Sequence, residues 1–398
     1  MMKSISLIFL IISTFWFAGD SPVSKAKPFV RTIDIRIEQN LMFTDVTIDG
    51  EVYNFLIDTG APFVLSPKLA KKLDFRTSQT MTMGSSNAKK GKARVGTMKR
   101  DVEVGGLKFS NFKATVLDYN SNTQVIRCLA FDGIIGANFM SGAIWQIDYD
   151  RKKITITNSL KRLSGIDSSW SVKMETRGFN KSPYIPVKVN RGEAGRVLFD
   201  TGFAGFFDLT YNSYNKALKA DKLDDRIRIL EGRGTMSEGA FGALDTTGYF
   251  MQVPQIIIGR EKVQKPEFRM AHTRKAKVGA EYLKGRLVTL DFPRKRFYVS
   301  EKEEKYSPIN KKSFLFAATL DDGTMKVSSV YGKLQQSQDL KIGDELLAIN
   351  GQLLSEIGEC DALIFVREQL ALDKSLEISA KRGSREFNLL IHKSLIFN

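Results

Sequence analysis

Histidine and cysteine are nearly absent from this chain, with two of each among 398 residues. His272 and His392 lie in no cluster with ligand spacing, so no metal site and no cofactor is expected. Cys128 and Cys360 are too few for a disulfide framework and fall in regions assigned below to different domains. They read as solitary thiols packed like small hydrophobes.

Long apolar runs are equally scarce. The one candidate, Ile5 to Phe17, follows Lys3 and leads into a polar stretch ending Ser24-Lys25-Ala26, whose small residues suit a signal-peptidase cut. Residues 1–26 therefore read as a signal peptide, and the alternative is a retained N-terminal anchor. No other stretch could cross a bilayer, and no cysteine follows closely enough to carry a lipid. The expected location is outside the cytoplasm, periplasmic or secreted.

Acidic residues are outnumbered, leaving a net charge of +16. Such a balance suits nucleic-acid binders, yet the basic residues are scattered and no recognition helix or aromatic platform accompanies them, so no nucleic-acid partner is expected. The densest group, Lys89, Lys90, Lys92, Arg94, Lys99 and Arg100, reads as a solvated loop, with a preference for acidic partners as the other reading.

What the chain does have is a tripeptide that occurs twice. Asp58-Thr59-Gly60 ends the run Asn54-Phe55-Leu56-Ile57, and Asp200-Thr201-Gly202 ends Arg196-Val197-Leu198-Phe199. Chance would supply about 0.1 such tripeptides in a chain of this length. A second landmark repeats at nearly the same offset. Residues 135–156 lie without a gap on residues 278–299, matching Ile135-Gly136-Ala137 with Val278-Gly279-Ala280, Asp148 with Asp291 and Arg151-Lys152 with Arg294-Lys295. The repeat spacing, far longer than a solenoid period, indicates two duplicated lobes. We place them at residues 29–162 and 167–300.

Within the first lobe, Val46-Thr47-Ile48 and Glu51-Val52-Tyr53 flank Asp49-Gly50, a hairpin signal, and Ser66-Pro67 caps a short helix. In the second, strand Ile185–Val189, a helix near Ser213 and a glycine-rich excursion from Glu231 to Ala243 repeat the order. Asp245-Thr246-Thr247-Gly248 has no place in the repeat and reads as a turn. Residues 301–312, rich in charge and carrying Ser307-Pro308, read as a linker to a domain at 313–398.

Two carboxylates facing each other cannot both ionise at ordinary cost. The pair holds one proton, and one acid can accept a proton from water while its partner donates to a carbonyl oxygen. Glycine lets the two loops approach, and each threonine hydroxyl can reach across. At these residues the chain resembles the two-lobed aspartic proteases, retropepsin- or pepsin-like and of bacterial type. Ile134-Ile135-Gly136 and Lys277-Val278-Gly279 match the later hydrophobic-hydrophobic-Gly segment, with lysine in one apolar position. The resemblance implies a mainly β, bilobal acid-protease β-barrel fold with Asp58 and Asp200 as catalytic pair. Thr59, Gly60, Ala61, Thr201 and Gly202 would support the loops, backed by Gly136 and Gly279. It also implies an endopeptidase acting on an extended polypeptide substrate. Ala61 and Phe203 stand where pepsin-like enzymes carry a hydroxyl, so the pair should titrate higher than in those enzymes. No tyrosine lies between Met81 and Met98, which leaves Met81, Met83 or the basic stretch to cover the cleft. Phe63, Phe203 and Phe206 are the expected apolar walls.

Leu340–Gly351 resembles a segment of PDZ domains. A small α+β PDZ-like domain follows from that resemblance, with Ser313-Phe314-Leu315-Phe316 as carboxylate loop and peptide C-termini as partners. It would recruit or position substrate. The rival reading of the whole chain is a non-catalytic peptide- or protein-binding protein derived from such an enzyme.

Overall fold

The computed structural model describes residues 27–397 apart from 86, 88, 120–123, 191, 220–225, 272, 274, 303 and 333–338. The expected signal segment and His272 lie outside the described residues. No helix among the described residues is long and apolar enough to cross a membrane.

The chain is mainly β. A six-stranded antiparallel sheet joins the two lobes, in the order Val30–Asp34, Lys153–Thr157, Ile144–Asp148, Arg286–Asp291, Arg296–Glu301 and Trp170–Lys173. Its central pair sets Gln146 opposite Thr289, and the Gln146 amide donates to the Thr289 hydroxyl at 3.1 Å. These residues are 143 apart, the offset of the sequence repeat, so the pseudo-twofold axis passes between them.

In the first lobe the antiparallel strands Leu41–Ile48 and Glu51–Asp58 turn at Asp49 and Gly50, both at positive φ, as the hairpin signal predicts. Ser66 caps Pro67–Lys72 by accepting from the Leu69 N–H. Phe63 is fully buried and stacks on Phe139 in the lobe core. It is absent from the cleft, contrary to expectation: Phe63 and Leu65 join the lobe core, and Val64 between them lines the cleft.

Two further expectations fail in the hairpins. The basic stretch is no loop: Lys90–Met98 is a strand paired with Thr77–Gly84, its alternation sending Lys90, Lys92 and Arg94 outward and Ala93 and Val95 inward. Asp245–Gly248 is no turn either. It lies within Gly242–Gln252, paired along its length with Arg228–Gly239, where Asp245 accepts from the Thr235 hydroxyl. Gly248 gives room for the Met236 side chain, which a Cβ there would meet at 2.4 Å.

Within the expected linker, Lys302 and Pro308 are bonded to the lobes. Lys302 reaches Asp148 and Asp150 at 2.8 Å each, and the Glu267 N–H donates to the Pro308 carbonyl. Beyond them, strands Phe316–Asp321, Thr324–Tyr331, Glu345–Ile349, Ser375–Arg382 and Arg385–His392 and the helix Glu359–Leu372 form a module with its own core.

That module is fastened to both lobes. Its Thr324–Tyr331 strand pairs with Arg228–Gly239 of the second lobe, Gly232 opposite Tyr331 and Gly234 opposite Ser329. Both glycines are needed for this approach, since a Cβ would fall 2.2 Å from the Tyr331 ring or 2.1 Å from the Ser328 carbonyl. To the first lobe it is joined by a Cys128–Cys360 disulfide with Cα atoms 5.0 Å apart, which overturns the reading of two solitary thiols. The short helix Gln124–Cys128 packs against both Glu359–Leu372 and Phe316–Asp321, Val125 joins the module core, and Arg127 pairs with Glu359 at 2.7 Å. Each cysteine is alone in its own domain, and only the docking of the two brings them together.

Candidate active site

Asp58 is the last residue of Glu51–Asp58, and Asp200 directly follows Gly192–Phe199. Each strand lies beside a parallel partner from the later motif, Ile135 opposite Ile57 and Val278 opposite Phe199. The glycines of those motifs are obligatory. A Cβ on Gly136 would lie 2.0 Å from the Pro62 carbonyl carbon, and one on Gly279 2.2 Å from the Gly205 oxygen.

The two loops interlock through their threonines. The Thr59 hydroxyl donates to the Phe199 carbonyl at 2.6 Å and accepts from the Thr201 N–H at 3.1 Å. Reciprocally, the Thr201 hydroxyl donates to the Ile57 carbonyl at 2.8 Å and accepts from the Thr59 N–H at 3.0 Å. Both threonines are buried. This lattice holds the aspartates face to face: a Cβ on Gly60 would lie 2.5 Å from an Asp200 carboxyl oxygen, and one on Gly202 2.4 Å from the Asp58 carboxyl carbon. The Gly60 N–H donates to Asp58 at 2.7 Å and the Gly202 N–H to Asp200 at 3.2 Å.

Ala61 and Phe203 occupy equivalent backbone positions. Their N–H groups donate to the Asp58 and Asp200 carbonyls, and their carbonyls accept from Ala137 and Ala280. Neither supplies a hydroxyl. The first loop is braced instead from the opposite lobe, where the Asn180 amide and Ser182 hydroxyl donate to the Gly60 carbonyl at 2.7 and 3.1 Å. Nothing in the local sequence marks these two residues, because their role exists only once the lobes dock.

Part of Asp58 stays open to the cleft, but its carboxyl is ringed by protein and faces Asp200, itself 7% exposed. Burial pushes the Asp58 carboxyl well above the usual range. The Asp200 charge and hydrogen bond add to this, and the Gly60 and Ala61 N–H groups oppose it. A pair that works with one proton is inactive once both acids are ionised, so raising Asp58 moves the alkaline limit of activity upward. Hydrolysis is therefore expected to be optimal in mildly acidic solution, and a pH profile of peptide cleavage peaking below about pH 3 would contradict this.

Two hairpins roof the cleft. Thr77–Gly84 with Lys90–Met98 is the first flap, and Arg228–Gly239 with Gly242–Gln252 the second. Their ends meet: the buried Asn87 amide donates to the Gly242 carbonyl at 2.7 Å, and the Phe241 ring lies against Gly91. Met81 and Met83 line the cavity below, which measures about 960 Å³. The roof thus uses methionines where a tyrosine is missing.

The first-lobe wall is apolar, with Val64, Leu117, Leu129 and Ile134, whereas the second-lobe wall carries Arg269, Lys275 and Lys277 beside Phe203 and Phe206. The C-terminal module supplies Ala317, Ala318, Ser328 and Arg367 to a further wall, and its Thr319 hydroxyl donates to Glu238 of the second flap at 3.3 Å. Ser313, Phe314, Leu315 and Phe316 lie outside the cleft lining, at the start of the strand that the Gln124–Cys128 helix packs on. Phe314 and Phe316 are buried, and the Leu315 N–H donates to the Ser313 hydroxyl at 3.0 Å.

The aspartyl protease family matches residues 44–139, the part of the first lobe that carries Asp58 and Gly136. No curated protein matches the chain. Among solved structures, basic 7S globulin from soybean aligns at 10% identity and TM-score 0.40, covering 69% of this chain and 95% of its own. Conglutin gamma, a basic 7S globulin from lupine seeds, aligns at 10% identity and TM-score 0.40, covering 70% of this chain and 96% of its own.

Proposed function

We propose that the chain is an exported aspartic endopeptidase that hydrolyses polypeptide through water activated between Asp58 and Asp200. The observation that carries this reading is the threonine-locked approach of the two carboxyls at the floor of a roofed cleft. With one shared proton, the ionised carboxyl takes a proton from water as the water oxygen bonds to the peptide carbonyl carbon. The protonated partner gives its proton to the carbonyl oxygen. In the resulting gem-diol, one hydroxyl proton returns to the pair, the nitrogen takes a proton from the pair, and the C–N bond breaks. One water is consumed, a carboxylic acid and an amine leave, and the pair ends with the single proton it began with.

The C-terminal module is read as PDZ-like. The groove between Phe316–Asp321 and Glu359–Leu372 is where such a domain would add a peptide strand, and Gln124–Cys128 of the first lobe already packs there. Its part in proteolysis is then to position substrate, by forming a wall of the cleft and holding the second flap. Capture of free C-termini at Ser313–Phe316 would require that helix to leave. The Cys128–Cys360 bond suits an oxidising compartment and supports export.

The rival reading, a binding protein without hydrolytic activity, draws on the meeting flaps and on Lys277 beside the second aspartate. Incubation with a mixed peptide library, with and without a pepstatin-type inhibitor, separates the two. The protease reading expects cleavage that the inhibitor stops, and binding with no cleavage would favour the rival.

A further inference from the structure

The two lobes differ most where the duplicated motif departs from itself. In the first lobe, Ile134 lies opposite Val64 across an antiparallel strand pair, and both line the cleft. In the second, the corresponding pair sets Lys277 opposite Asp208. An apolar pair has been replaced by two ionisable residues next to the Asp200 loop.

Lys277 lines the cleft yet is only 5% exposed. Among the described residues no carboxylate lies within 4.0 Å of its ammonium and no acceptor takes a hydrogen bond from it; its ammonium stands over the Phe203 ring, with Nζ 4.6 Å from the centroid. The Arg269 guanidinium stands 5.8 Å from the same centroid, with an N–H to the Met236 carbonyl at 3.3 Å. Asp208 forms no ion pair within 4.0 Å with either cation among the described residues. It is 1% exposed and one carboxyl oxygen has no partner; burial raises its carboxyl above the usual range, and the Lys277 and Arg269 charges oppose that rise without cancelling it. The other acids on this wall are engaged elsewhere, Glu267 with Gln252 and the Lys311 N–H, and Glu281 with the Lys311 ammonium. An unpaired ammonium held out of water is costly unless an anion meets it.

Building on the protease reading, we propose that the second-lobe side of the cleft is a subsite for a substrate carboxylate, bound between Lys277 and Arg269 over Phe203. The first-lobe side, around Val64 and Ile134, takes an apolar side chain. The preferred scissile bond then has an aspartate or glutamate on one side and a bulky apolar residue on the other.

The test is cleavage of a peptide library with amidated C-termini, so that only side chains supply carboxylates, read by mass spectrometry. Cleaved bonds should be enriched about tenfold in Asp or Glu at one flanking position. Lys277→Ile, which copies Ile134, and the longer isostere Lys277→Met should each lose that enrichment while still cutting apolar sites. Enrichment only with free C-termini would move the source of the carboxylate to the chain end and overturn the side-chain proposal. Cleavage between apolar residues with no acidic preference, or an unchanged preference in both variants, would also overturn it while leaving the protease reading intact. Should no peptide be cut, the protease reading falls. The subsite is then judged by binding of statine-centred peptides that differ only in Glu or Leu at the flanking position. The proposal expects at least about tenfold tighter binding of the Glu form to the wild-type chain than to Lys277→Met, and equal affinities would overturn it.

Discussion

Replacing Asp58 by asparagine is expected to lower the rate of peptide hydrolysis at least about a thousandfold and, at the same time, to stabilise the folded chain at neutral pH. The two effects have one cause. In the folded protein the Asp58 carboxyl is held well above the usual range by burial and by Asp200, so the folded state binds its proton more tightly than the unfolded state does. Stability from this group is therefore full below the unfolded value and declines as pH rises toward the raised folded value. An uncharged amide escapes that decline, and the Gly60 N–H can still donate to its oxygen. Urea unfolding should give the Asp58→Asn variant the higher midpoint at pH 7 and nearly equal midpoints in acid. A variant that is both inactive and less stable at pH 7 would show that the loop had been disturbed rather than its charge removed.

Loss of the Cys128–Cys360 bond carries the second large effect. The bond spans 232 residues and ties the C-terminal module to the first lobe, while strand pairing at Gly232–Gly234 ties the same module to the second flap. Constraining so long a segment of the unfolded chain contributes about 2–5 kcal/mol. The Cys128→Ser, Cys360→Ser double variant should unfold at a clearly lower denaturant concentration. A dithiol reductant should bring the wild type to the same midpoint and leave the variant unchanged. Equal midpoints for oxidised, reduced and double-serine protein would mean that the bond does not form in the folded chain.

The parts of this molecule legible in its sequence are those set by short-range pattern or by repetition. Asp49-Gly50 announced its hairpin, Ser66-Pro67 its helix start, and the doubled motif its two lobes, with Gln146 and Thr289 meeting on the axis at the repeat offset. The aspartate loops were readable for the same reason, since the glycines and threonines that let them interlock are neighbours of the acids in sequence.

What escaped depends on docking between distant segments. The disulfide joins two cysteines each without a local partner, and Asn180 and Ser182 brace Gly60 from the other lobe. Asp245–Gly248 has turn-like composition, but pairing with Arg228–Gly239 and the Met236 side chain over Gly248 draw it into a strand. Phe63 is near Asp58 in sequence and so reads as a cleft residue, whereas it packs into the lobe core with Leu65 and leaves Val64 to line the cleft. Lys277 was visible as a departure from the motif. Its meaning required Asp208 opposite it and the absence of an ion-pair partner among the described residues.

Whether Asp58 and Asp200 act as one proton-sharing pair is read from the rate of peptide cleavage by Asp200→Asn beside the wild type at the wild type's optimum pH. A shared proton requires inhibitor-sensitive cleavage by the wild type and a loss of at least about a thousandfold in the variant, with the circular dichroism spectrum unchanged. Full activity in Asp200→Asn would contradict it.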